Sequence, residues 1–144
     1  MKTSAFFFLG LSAFAALPAG ATTFATGKIV LPKSLLGAAA GIRTVFVSVY
    51  DASKKNGPAM PYGAVKIDLP ADAKAGDVTS FTLDSETMTL MTASEKLPSK
   101  LDIKAKLDRD GSAGPDGSGD VVGWKKGVKP GTKGVVVTLE KVSP

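Results

Sequence analysis

Four aspartates, Asp108, Asp110, Asp116 and Asp120, punctuate a glycine-rich segment that reads Asp108-Arg109-Asp110-Gly111-Ser112-Ala113-Gly114-Pro115-Asp116-Gly117-Ser118-Gly119-Asp120. Carboxylates spaced along flexible glycines can wrap oxygen ligands around Ca²⁺. The segment departs from an EF-hand loop, which needs Gly at its sixth place and a bidentate Glu at its twelfth; here Gly111 is fourth and Gly119 twelfth. Asp and Gly are also the residues of any tight connection between strands, Gly for positive φ and Asp for capping local amides. A plain turn is the ordinary reading and a cation site the alternative.

Met60, Met88 and Met91 carry soft thioethers that can bind Cu(I). Met88 and Met91 are three apart, which a strand puts on opposite faces and only a helical turn brings together. Filling a core is the ordinary use of such side chains. The acids Asp68, Asp72, Asp77, Asp84, Glu86 and Glu95 stand in no recognisable catalytic constellation, so solvated surface acids are expected. Trp124 is expected in the core or on its rim, with ligand stacking as the alternative.

Asn56-Gly57-Pro58-Ala59-Met60-Pro61-Tyr62 sets two prolines around Ala-Met, which imposes an extended path and presents Met60 and Tyr62 in a fixed direction. Such a loop either docks a partner or tucks Met60 into the end of the fold. Pro58, Met60, Pro61, Tyr62 and Trp124 are the candidate partner-binding residues.

Histidine and cysteine are both absent. That removes Ser/His and Cys/His nucleophile pairs, His zinc sites, axial His ligation of haem, disulfides and CxxC redox centres. No catalytic residue is assigned, no cofactor is expected, and the expected role is non-enzymatic.

The chain opens with Lys2, an apolar run from Ala5 to Leu17, and Pro18. Ala19-Gly20-Ala21 then supplies the small-x-small pattern of a signal-peptidase site, with Thr23-Phe24-Ala25 as a second candidate. The run is 13 residues long, short of the roughly 20 that span a bilayer. Residues 1–21 are expected to be a signal peptide and 22–144 one soluble periplasmic domain. With no cysteine to acylate, it is not expected to be a lipoprotein, and no later segment reads as a membrane span. Such a domain, of about 123 residues, can bury roughly two thirds of its unfolded surface in one core. The formal net charge is +5; without Lys2, 17 basic and 13 acidic residues leave +4, with Arg43 and Arg109 the only arginines. A modest, lysine-rich charge describes a solvated surface, and nucleic acid is not an expected partner.

These residues must be positioned by short β-rich runs, because glycine and proline interrupt every longer period. Val45, Val47 and Val49 alternate with Phe46, Ser48 and Tyr50. Leu101, Ile103, Ala105 and Leu107 alternate with Asp102, Lys104, Lys106 and Asp108, which predicts one dry and one wet face. Val135, Val137 and Leu139 predict a strand over Gly134–Val142. Weaker candidates are Lys28–Leu31, Ala64–Leu69, Val78–Leu83 and Asp120–Lys126. Ser34 to Ala40 has room for one or two helical turns. About seven strands with turns between them predict an all-β, antiparallel immunoglobulin-like β-sandwich.

Several segments in order resemble the C-terminal periplasmic domain of CycH-type cytochrome c-type biogenesis proteins. They are Thr44-Val45-Phe46-Val47, Gly57-Pro58-Ala59-Met60-Pro61 with Ala64-Val65, Phe81-Thr82-Leu83-Asp84 with Met88, Gly111-Ser112-Ala113, and Gly119-Asp120-Val121-Val122-Gly123. The resemblance runs from about Gly27 to Pro144. It implies an Ig-like sandwich and a place in cytochrome c maturation. Family members join this domain to a membrane segment and a tetratricopeptide array that captures apocytochrome, neither of which has a counterpart in these residues. The family commonly has Ala-Arg where this chain has Tyr50-Asp51, and Gly63 is an insertion after Pro61. The expected function is a non-catalytic protein-binding or scaffolding module whose partner belongs to the cytochrome c maturation machinery. An exported Ca²⁺- or cation-binding module using Asp108, Asp110, Asp116 and Asp120 is the alternative.

Overall fold

Valine alternation at Val45, Val47 and Val49 puts three fully buried side chains on one face of a strand, and Leu101, Ile103, Ala105 and Leu107 do the same on its neighbour. The computed structural model describes residues 22–53, 60–91 and 98–144. The expected signal peptide, Pro58 and Glu95 lie outside the described residues.

The strands are β1 (Thr23–Leu31), β2 (Thr44–Asp51), β3 (Gly63–Asp68), β4 (Gly76–Asp84), β5 (Thr89–Leu90), β6 (Leu101–Asp108), β7 (Val121–Val128), β8 (Thr132–Thr138) and β9 (Lys141–Val142). Six of the seven runs read from the sequence each fall on one of them, and the seventh, Gly134–Val142, falls on two. Two sheets form, one in the order β4-β1-β8 and the other in the order β5-β3-β2-β6-β7-β9. All pairings are antiparallel except β1 with β8, so the chain is an all-β sandwich of two largely antiparallel sheets. Between β1 and β2 lies a 3-10 turn, Lys33–Leu35, continued by turns to Gly41. No helix among the described residues is long and apolar enough to cross a membrane.

The core lies between the sheets. Ile29 and Leu31 of β1, Phe81 and Leu83 of β4, and Val135 and Val137 of β8 face the β2 and β6 residues named above. Burying a side chain of this size contributes roughly 1.5–3 kcal/mol. β1 starts earlier than the sequence pattern suggested. A bulge between Thr23 and Ala25 turns both Phe24 and Ala25 inward, breaking the alternation that marks a regular strand.

The run Gly134–Val142, expected as one strand, is two. The Leu139 amide donates to Val30 O in the first sheet at 2.9 Å and the next amide, Glu140, donates to Val122 O in the second at 2.8 Å. The chain therefore changes sheets between adjacent residues, which closes one corner of the sandwich. It crosses directly over Gly123, where a Cβ would lie 2.1 Å from Thr138 O and 2.7 Å from Leu139 Cα.

Candidate functional site

The second sheet's outer face carries Phe46 and Tyr50 from β2, Lys104 and Lys106 from β6, and Trp124 and Lys126 from β7. It is not the wet face that alternation along β6 predicted. Lys106 and Asp108 are 6% and 3% exposed, because the segment joining β6 to β7 folds back over them. The Lys106 ammonium donates to Gly114 O of that segment at 2.8 Å, pairs with Asp108 Oδ2 at 3.1 Å, and sits 5.7 Å from the Phe46 ring centroid. Lys104 donates to both oxygens of Asp116, at 2.6 and 2.8 Å.

Trp124 lies on this face, not in the core. Its ring stands 5.1 Å from that of Tyr50, with Lys126 at 4.2 Å and Lys104 at 5.4 Å from its centroid. Cations over an indole face are attracted by its quadrupole. Partial burial, with the nearby Asp116 charge adding to it, raises the Tyr50 phenol above its ordinary value. The Tyr50 ring packs on Trp124.

The four aspartates of the connecting segment do not converge on one point. Asp108 Oδ1 accepts the amides of Asp110 and Gly111, at 3.1 and 2.8 Å, and its other oxygen faces Lys106. Asp110 accepts the Ser112 amide, and Asp116 is held by Lys104. Asp120 accepts the Arg109 amide on one oxygen and the Gly117 amide on the other. Arg109 in turn donates to Ala38 O at 2.7 Å and Ala40 O at 3.4 Å. Among the described residues no group of three or more acids is arranged to hold a metal ion. These carboxylates are spent on amides and lysines, as a tight, folded-back turn requires.

The proline-bracketed loop leads to a different place. Val49 pairs with Gly63 at one end of β2, whereas Thr44 pairs with Asp108 at the other, so the two loops lie at opposite ends of the sandwich. Met60 is 61% exposed and Pro61 half-buried, but Tyr62 is buried against Phe24, ring centroids 5.6 Å apart. Tyr62 is thus core, not docking surface; its amide donates to Val49 O, which turns the side chain inward at the mouth of β3. Leu90 and Met91, 47% and 43% exposed, join Met60 at this end, because the Met91 amide donates to Tyr62 O and Leu90 pairs with Gly63. Met88 is buried, so the methionines split between core and surface.

Asp72 and Asp77 are engaged by Arg43 at 2.9 Å and Lys28 at 3.2 Å. Asp84 caps the amides of Glu86 and Thr87. The Thr87 backbone bond outweighs the cost of burial and holds the Asp84 carboxyl below its ordinary value.

The sequence therefore missed Tyr50, Lys104 and Lys106 as a cluster, and Leu90 with Met91 as exposed apolar residues at the same end as Met60. Both clusters depend on which strands are neighbours. Comparisons with protein-family models, curated proteins and solved structures find no match to this chain.

Proposed function

We propose that this chain is a non-catalytic, exported protein-binding module of immunoglobulin-like type that serves cytochrome c maturation in the periplasm. The observation that carries the binding role is that Met60, Leu90 and Met91, three large apolar side chains, are all exposed at the β3–β5 edge. Large apolar side chains left exposed at one edge mark an interaction site. The segments Gly57–Pro61 and Gly119–Gly123, which resemble the CycH-type domain, support the assignment to maturation, and the apolar leader with Ala19-Gly20-Ala21 supports export.

Two measurements test this. Deletion of the gene in a host that makes c-type cytochromes is expected to reduce covalent haem staining of its fractions. The Met60→Asp, Met91→Asp variant is expected to weaken capture of a maturation component on the order of ten-fold or more, with thermal stability kept, as for other exposed positions. Unchanged cytochrome levels and equal capture by the variant would sink the reading.

Export also specifies a boundary. Phe24 and Ala25 are core residues, so cleavage after Ala25 would remove them from the sandwich, whereas cleavage after Ala21 leaves β1 whole. N-terminal sequencing of the exported protein is expected to begin at Thr22; a start at Thr26 contradicts it.

A further inference from the structure

We infer that the outer face around Lys104, Lys106 and Trp124 is a carboxylate-binding site, occupied in the free protein by its own Asp116 and opened by lifting of residues 112–116.

The Lys104 side chain is only 14% exposed, and among the described residues its sole ion-pair and hydrogen-bond partner is the Asp116 carboxylate. A largely buried ammonium needs an anion, since an uncompensated charge there costs several kcal/mol. A second cation, Lys106, stands 3.9 Å from the same Asp116 oxygen, and the Trp124–Tyr50 pair supplies an apolar wall beside it. Two lysines and an aromatic wall make a site shaped for a carboxylate on an apolar stem. Asp116 already shows how one sits there.

The segment that carries Asp116 is built to move at its tip and stay at its base. The base is clamped at both ends, by Asp108 on the Asp110 and Gly111 amides and by Asp120 on the Arg109 and Gly117 amides. Gly111 and Gly119 take φ of +74° and +90° at these ends, which glycine adopts without strain. Between the clamps, the hydrogen bonds and ion pairs to the sheet are the Gly114 carbonyl on Lys106 and the Asp116 carboxylate on Lys104, with Lys106 at 3.9 Å from the same carboxylate. An incoming carboxylate replaces the second of these one for one, so neither lysine is left buried without an anion. The lysine-rich face steers acidic partners toward the site. The ligand is therefore a carboxylate, from an acidic peptide segment or from a free carboxylic acid.

Trp124 is the sole tryptophan, so selectively excited tryptophan fluorescence reports on this face alone. Wild type, Asp116→Asn, and Asp116→Asn with Lys104→Met are titrated with hexaglutamate and, separately, with benzoate, each against sodium chloride at matched ionic strength. A lid closed nine-tenths of the time weakens apparent affinity about ten-fold, so Asp116→Asn is expected to bind about ten-fold or more tightly than wild type. Lys104→Met is expected to abolish that gain. Saturation by hexaglutamate identifies a peptide source and saturation by benzoate a free acid; either upholds the site. Equal affinity of wild type and Asp116→Asn, or no saturable change with either probe beyond that of salt, overturns it. Asp116 is at an exposed loop tip, so the Asp116→Asn comparison does not depend on a core position.

Discussion

Gly123→Ala is expected to lower the stability of the fold by about 3 kcal/mol or more and its Tm on the order of 10 °C. The cause is one atom. A Cβ at Gly123 would meet Thr138 O at 2.1 Å and Leu139 Cα at 2.7 Å, both backbone atoms of the segment that passes from the first sheet to the second. A flexible side chain could swing aside, but this backbone is fixed by the Leu139 and Glu140 amides, each bonded into a different sheet. Relief requires the corner to open, which breaks one of those bonds or displaces β9 from Val121 and Val122. Gly37→Ala is the control. Nothing lies within 4 Å of a Cβ there, so the change is expected to be neutral or slightly stabilising through the unfolded chain. Thermal unfolding of the two variants checks both, and equal Tm values would remove the close-approach account of Gly123.

Gly123 also closes a segment whose residues are architectural. In Gly119-Asp120-Val121-Val122-Gly123, the Gly119 amide donates to Ser143 O, and the buried Asp120 carboxylate ties Arg109 to Gly117 while its carbonyl accepts the Ser143 amide. Each residue secures the place where the last strand returns to the second sheet. A sequence displays Gly and Asp at a fixed spacing; it does not display the strand that crosses above them.

The same division runs through the whole molecule. Alternation is local, so β2 and β6 were legible from Val45 to Val49 and from Leu101 to Leu107. Burial of a face is not local. Lys104, Lys106 and Asp108 read as solvated because nothing in their own strand announces that residues 109–120 fold back across them. Tyr62 read as a presented side chain because its prolines fix a direction; whether that direction is in or out depends on Phe24, 38 positions earlier in the chain. The opposite placement of the two loops follows at once from antiparallel pairing of β2 with β6. That pairing joins residues 50 to 64 positions apart, and periodicity carries no information about it.

Asp108 joins the fold to the site, and its removal is the other large effect. Asp108→Ala is expected to cost about 3–5 kcal/mol, because it leaves the buried Lys106 ammonium with the Gly114 carbonyl and no counter-charge nearer than Asp116 at 3.9 Å, and also strips the caps from the Asp110 and Gly111 amides. Asp108→Asn separates the two losses: an amide oxygen still accepts both backbone N–H groups, so its deficit reports the charge alone. Adding Lys106→Met removes the stranded cation and is expected to recover much of that deficit, which a urea-unfolding cycle measures as a coupling between the two positions. The pH dependence carries the same sign. Burial pushes the Asp108 carboxyl up, but hydrogen bonding with Asp110, the Lys106 ammonium and the Gly111 amide outweighs it and holds the group below its ordinary value. The folded state then binds fewer protons than the unfolded chain between the lowered value and roughly 4, so stability rises with pH across that window. The contribution is complete above the unfolded value and is lost as acid protonates Asp108 in the fold. Asp108→Asn is expected to flatten that part of the acid limb, and an unchanged slope below pH 4 would show that the pair with Lys106 contributes nothing to holding the 109–120 segment on the sheet.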